Sequence, residues 1–189
     1  MPLAAGTHFL TPTVYLHVMD ADAPGPTALI QAGIHGDEIA GVHALEELLE
    51  EGIRPERGRL IICPVMNPPA YRARQRFPEG GLDLNRCFPG DADSPDKERR
   101  LAHRFMSLVR DEKPALVATL HESMKRYDPE VRPSFGQTLV YGVEPIPGLV
   151  QSVVDGMNST LADESERWAP QYYPVSTSST EVIVDAVGC

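Results

Sequence analysis

Apolar positions along the chain fall into short runs separated by amphipathic stretches of helical period. The runs at 12–18, 27–32, 59–65, 115–120 and 137–141 are bounded by Asp, Pro and Gly clusters and predict strands. Between them, Ile39, Val42, Leu45 and Leu49 predict a helix over about 38–51 that Gly52 ends, with Glu46, Glu47, Glu50 and Glu51 on its solvated side. Ser94-Pro95 reads as the start of a second helix, with Leu101, Phe105, Leu108 and Val109 as its apolar stripe. A third is predicted over 147–162, with Leu149, Val153, Met157 and Leu161 turned inward. Residues 68–94 read as one long loop, and the closing segment through 184 as loop and strand. Strands alternating with helices imply a three-layer α/β/α sandwich on a mixed, largely parallel sheet.

A chain of 189 residues suits one domain, large enough to bury roughly 70% of its unfolded surface without staples. Seventeen Lys and Arg against 27 Asp and Glu give a net charge of -10, which argues against nucleic acid or an anionic membrane as partner. The three cysteines, Cys63, Cys87 and Cys189, have no paired spacing and suggest a reducing compartment. Without a basic leader or a run of membrane-spanning length, a cytoplasmic protein is expected.

The stretch Ala32-Gly33-Ile34-His35-Gly36-Asp37-Glu38 joins a predicted strand to a predicted helix. Such turns at the carboxyl ends of strands form the ligand crevice of an open α/β sheet, and glycines let the backbone bend and approach closely there. His35 and Glu38 lie three residues apart, so an imidazole nitrogen and a carboxylate oxygen can converge on one point. A catalytic zinc site needs a third ligand and leaves a fourth position to water. His121, at the end of the 115–120 strand, is the candidate. The plainer reading is a chance His-x-x-Glu pair, with the glutamate favoured by the helix dipole. Placement favours the metal, because both histidines follow directly on a buried-looking strand. The arginines at 72, 74, 76 and 86 make anion binding the use of the 68–94 segment, with a solvated loop charge as the alternative.

With His35-Gly36-Asp37-Glu38, Asn67-Pro68, Asp83-Leu84-Asn85-Arg86 and Leu120-His121 in this order, the chain resembles the zinc carboxypeptidase superfamily. Within it the likeness is to the succinylglutamate desuccinylase and aspartoacylase branch, from about Val14 to at least His121. The resemblance implies that His35, Glu38 and His121 ligate Zn2+, and that Asn85 and Arg86 hold a substrate carboxylate. A guanidinium fork beside an amide suits that planar anion. It also implies an upstream arginine that polarises the scissile carbonyl, for which Arg76 is chosen over Arg72 and Arg74. The family's general base is a glutamate on a late strand. Glu181, preceded by Thr180, is the candidate here, since Glu122 beside His121 would point to the opposite face. Val187-Gly188-Cys189 looks like the approach to the family's late strand, so the single domain, 1–189, is expected to lack its last strand and helix.

The activity implied is zinc-dependent hydrolysis of the amide bond of an N-acyl amino acid. The alternatives are a metallocarboxypeptidase acting on peptide C-termini, and a non-catalytic relative that binds metal and carboxylate but lacks the general base. Either way the partner is a small N-acyl amino acid or a short peptide. Cys87 as a nucleophile is discounted, because Arg86 and Phe88 do not supply a base.

Overall fold

The computed structural model describes residues 2–142, 147–174 and 178–187. The chain divides into two compact units, Met1–His121 with Thr177–Cys189, and Glu122–Ser176.

The first unit holds a five-stranded sheet of β1 (Gly6–Thr11), β2 (Val14–Asp20), β3 (Thr27–Gln31), β4 (Arg59–Cys63) and β5 (Leu116–Thr119), in the order β1-β2-β4-β3-β5. The β1/β2 and β2/β4 pairs are antiparallel, whereas β3 runs parallel to both β4 and β5. The sheet is therefore mixed, with an antiparallel half (β1, β2) and a parallel half (β4, β3, β5). The helices of this unit are α1 (Ala40–Glu50), α2 (Pro68–Ala73), α3 (Lys97–Glu112) and, late in the chain, the segment Ser179–Val187.

Both faces of the sheet are covered, as an apolar run without strict alternation requires. Leu16 and Val18, Leu29, and Ile61 and Cys63 belong to one core with Phe105, Met106 and Val109 of α3 and with Ile183. Leu60 and Ile62 belong to the other, with Val42 and Leu45 of α1. Burying each large side chain of this kind stabilises the fold by about 1.5–3 kcal/mol. The three expected layers are present.

Several local expectations give way. β1 was not legible, because Gly6-Thr7-His8-Phe9 forms an exposed edge on which Phe9 is 72% accessible and no alternation is required. The 68–94 segment is no plain loop. It opens with α2, where Asn67 caps the helix by accepting from the Ala70 N–H and Pro68 and Pro69 occupy the first helical positions. The helix after Ser94-Pro95 begins at Lys97, because the Ser94 hydroxyl accepts from the Asp96 N–H and closes a turn ahead of it.

The second unit contains β6 (Thr138–Tyr141) paired in parallel with β7 (Ala169–Tyr172), and α4 (Pro147–Ser159) beside them. Here the inward stripe differs from expectation. Val150 and Val154 are buried, while Leu149 and Val153 are 48% and 42% exposed. The helix carries two adjacent apolar rows one residue apart, and periodicity alone does not choose between them.

The end of the chain also departs from its predicted strand: Ser179–Val187 is a helix, α5. Gly188 and Cys189 lie outside the described residues. Among the described residues no helix is long and apolar enough to cross a membrane.

Candidate metal centre

The centre is assembled where β3 and β5 end level with each other. In the parallel register Gln31 faces Thr119, and the Gln31 Nε2 amide donates to the Thr119 hydroxyl at 2.9 Å. The chain then leaves β3 through Gly33 and Gly36. Gly33 has φ +63°, a conformation that a side chain disfavours. At Gly36 a Cβ would stand 2.0 Å from the Ala70 carbonyl carbon, so the backbone of α2 packs where a side chain would be. The Gly36 N–H donates to Gln75 O at 3.0 Å and fixes this contact. His35, beside it, is only 2% exposed.

Glu38 lies between the two histidines. Its Oε1 is 2.8 Å from His35 Nδ1, and its Oε2 is 2.6 Å from His121 Nδ1. The imidazole centroids are 4.9 Å apart, on the same side of the sheet ends. One ligand atom from each of His35, Glu38 and His121 lies within 4.8 Å of the others.

Behind His35 stands a residue whose role the sequence reading did not assign. Asp83 Oδ1 is 3.2 Å from His35 Nε2 and accepts from the Asn85 N–H at 3.0 Å. A carboxylate on Nε2 can hold a proton there, which would leave the Nδ1 lone pair for a metal. Two imidazoles and one carboxylate, with one ring oriented by a second carboxylate, suit a borderline divalent cation with an open fourth position. The residues fit a metal of that kind. The usable signal for Asp83 was its place in the Asp83-Leu84-Asn85-Arg86 run.

Charges in the centre are strongly coupled. Burial pushes the Glu38 carboxyl up, but the hydrogen bonds of His121 and His35 outweigh it and hold the pKa at about 2. Burial likewise opposes ionisation of Asp83, yet His35, Arg76 and the Asn85 N–H bring it to about 2. For His35 burial acts downward, and the Asp83 and Glu38 carboxylates raise it above its ordinary value.

Arg76 lies at the rim of this cluster, with its Nε 3.2 Å from Asp83 Oδ2 and an Nη 3.6 Å from Glu38 Oε1. Arg74 instead lies over the Tyr71 ring, at 5.8 Å from its centroid. Arg72 is exposed in the last turn of α2.

Leu84–Arg86 forms a single 3-10 turn that Asp83 caps. It buries Asn85 and leaves Arg86 exposed. The Asn85 Oδ1 accepts from both the backbone N–H and the hydroxyl of Ser179, at 3.0 and 2.7 Å. Glu181 follows in the first turn of α5, half-buried and on a helix instead of a strand end. The sequence reading passed over Ser179 as one of several serines, with no local signal to single it out. Cys87 is buried, with its thiol donating to Asp83 O and its pKa raised by burial, a poor nucleophile.

The succinylglutamate desuccinylase/aspartoacylase catalytic domain matches residues 24–128. A 78-residue segment is 49% identical to an N-alpha-acetyl-L-2,4-diaminobutyric acid deacetylase of Halomonas elongata, covering 40% of this chain and 22% of that protein. A 75-residue segment is 39% identical to a succinylglutamate desuccinylase of Burkholderia thailandensis, covering 38% and 21%. A solved succinylglutamate desuccinylase/aspartoacylase from Rhodobacter sphaeroides shares 35% identity at TM-score 0.53, covering 61% of this chain and 35% of that one. The tripeptide-bound cell shape determinant Csd4 of Helicobacter pylori superposes at TM-score 0.80 with 19% identity, over 93% of this chain and 48% of that one, which is a likeness of fold. In each match the aligned part spans less than half of the other protein.

Proposed function

Because the chain belongs to the succinylglutamate desuccinylase/aspartoacylase catalytic-domain family, we propose that it is a zinc-dependent hydrolase cleaving the amide bond of an N-acyl amino acid. The observation that carries the reading is the cluster of His35, Glu38 and His121, with Asp83 behind His35 and the Asn85–Arg86 turn tied to that same Asp83. The two compact units are read as parts of one hydrolase domain.

His35, Glu38 and His121 would hold the zinc. When bound, it supplies an acidified water and a Lewis acid for the scissile carbonyl. Asn85 and Arg86 bind the substrate carboxylate, the amide by donation and the guanidinium by its fork. Arg76 stabilises the negative charge that develops on the carbonyl oxygen, a role its position beside Glu38 and Asp83 supports. Glu181 moves the proton from water to the leaving amine. The substrate class is a small N-acyl amino acid, and the same anion turn would take the carboxylate of a short peptide.

A second reading has its own support. Glu181, the residue assigned as the base, stands on a helix and not at the end of a strand. On that reading the chain binds metal and carboxylate without turnover.

Zinc analysis with hydrolysis assays on acetyl-, succinyl- and peptidyl-amino acids separates the two. The hydrolase reading expects one zinc and turnover, both abolished by His35→Ala. Glu181→Gln should keep the zinc and lower kcat about 10²-fold. One zinc with no turnover of any of these substrates supports the binding reading. Unchanged kcat in Glu181→Gln removes that residue as the base.

A further inference from the structure

The Asn85 amide has two ends of opposite character, and only one suits an anionic ligand. The NH2 group donates to a carboxylate, whereas the carbonyl oxygen repels it. The two ends are alike in shape, so the surrounding partners decide which way each faces. Here they do. The Ser179 backbone N–H, 3.0 Å from the side chain, can only donate, so the atom facing it is the oxygen. The Ser179 hydroxyl gives the same oxygen a second donor at 2.7 Å. Ser179 is fully buried and the first residue of α5, so neither donor is diverted by solvent. On the other side of the turn, the Asn85 backbone N–H is held by Asp83 Oδ1, which also faces His35. The amide is thus fixed at both its backbone and its oxygen. Among the described residues no acceptor takes its Nδ2 group.

We infer that Ser179 is a positioning residue for substrate: it captures the Asn85 oxygen so that the Asn85 Nδ2 group is presented to the substrate carboxylate. The inference rests on the reading of Asn85 and Arg86 as the carboxylate site. It gives α5 a part in recognition although Ser179 lies 94 residues from Asn85 in the chain. Without the two donors the amide is free to rotate, and half of its orientations set oxygen against anion.

The position allows a graded test. Ser179→Thr keeps both donors, Ser179→Ala removes the hydroxyl, and Ser179→Pro removes both. Proline is tolerated at a first helical position. With N-succinyl-L-glutamate and N-acetyl-L-2,4-diaminobutyrate as probes, Ser179→Ala should raise KM about five- to tenfold, the effect of one lost hydrogen bond, with kcat and zinc content held. Ser179→Pro should raise KM further, and Ser179→Thr should restore it. If neither probe is turned over, the Asn85 side-chain amide resonance carries the test. It should shift on titration with N-acetyl-L-glutamate in the wild type, and in Ser179→Ala the midpoint of that titration should move to about five- to tenfold higher ligand concentration. Should Ser179→Pro fail to fold, the alanine and threonine variants decide. An Asn85→Ala variant with unchanged KM overturns the carboxylate reading itself. A raised KM in Asn85→Ala with unchanged KM in folded Ser179→Ala and Ser179→Pro overturns the role of Ser179 alone.

Discussion

Asp83 illustrates how much one side chain adds to a centre whose ligands lie elsewhere. Its carboxylate touches His35 Nε2 and not the metal position, so Asp83→Ala should weaken zinc binding about 10–100-fold, measured by competition with a chromophoric chelator. The same charges set the acid and base limits of the chelator-treated protein. Glu38 and Asp83 have pKa values lowered to about 2, so their stabilisation is complete above their ordinary values and is lost as pH falls towards 2. His35 is raised, so its contribution is present below its ordinary 6.5 and is lost as pH climbs through the raised value. The melting temperature of metal-free protein should therefore peak between the ordinary values of Glu38, 4.5, and His35, 6.5. A maximum above pH 8 would contradict the network. Cys63 offers a separate check on packing: burial pushes its thiol up to about 12, so native protein at pH 8 should leave it unalkylated by iodoacetamide while denatured protein reacts.

Among the elements, the parallel pair β3 and β5 does the positioning. Gln31 and Thr119 hold the strand ends level, just before His35 and His121 are delivered. Thr119→Val would strip the buried Gln31 amide of this partner, at a cost of about 1–3 kcal/mol in denaturant unfolding. Gly36 makes the complementary point about α2. A methyl group there meets the Ala70 carbonyl, so Gly36→Ala should cost at least about 1–3 kcal/mol and displace His35, read as lower zinc affinity. In α4 the choice of stripe is testable: Val154→Ala should lose about 2 kcal/mol, whereas Val153→Ala, on the exposed row, should stay within about 0.5 kcal/mol.

For the whole molecule, the metal would tie together segments that the chain separates widely. Glu38 and His121 lie 83 residues apart, and β3, α1 and β5 all converge on the cluster. A ligand that binds only this folded arrangement stabilises it by about 2.7 kcal/mol at a free concentration one hundred times its Kd. Zinc should raise the melting temperature accordingly, and His121→Ala should remove the increase. A rise of equal size in that variant would locate the binding elsewhere.

Local pattern was sufficient for what depends on near neighbours. The apolar runs marked β2 to β6, helical spacing marked α1 and α3, and the three-residue step from His35 to Glu38 placed two donors together. Ordered motifs added His121, because the end of an apolar run is a position that sequence can indicate, although β5 proves to be an edge strand with no buried residue. Elsewhere the pattern was silent or ambiguous, as with the exposed edge β1, the proline-led α2 and the paired rows of α4. The closing helix was misread because a short apolar run fits strand and helix alike. Asp83 behind His35 and Ser179 on Asn85 are contacts 48 and 94 residues apart, and only the tertiary structure made them. Such meetings follow from the order in which strands assemble and the faces on which helices land, and no local periodicity encodes either.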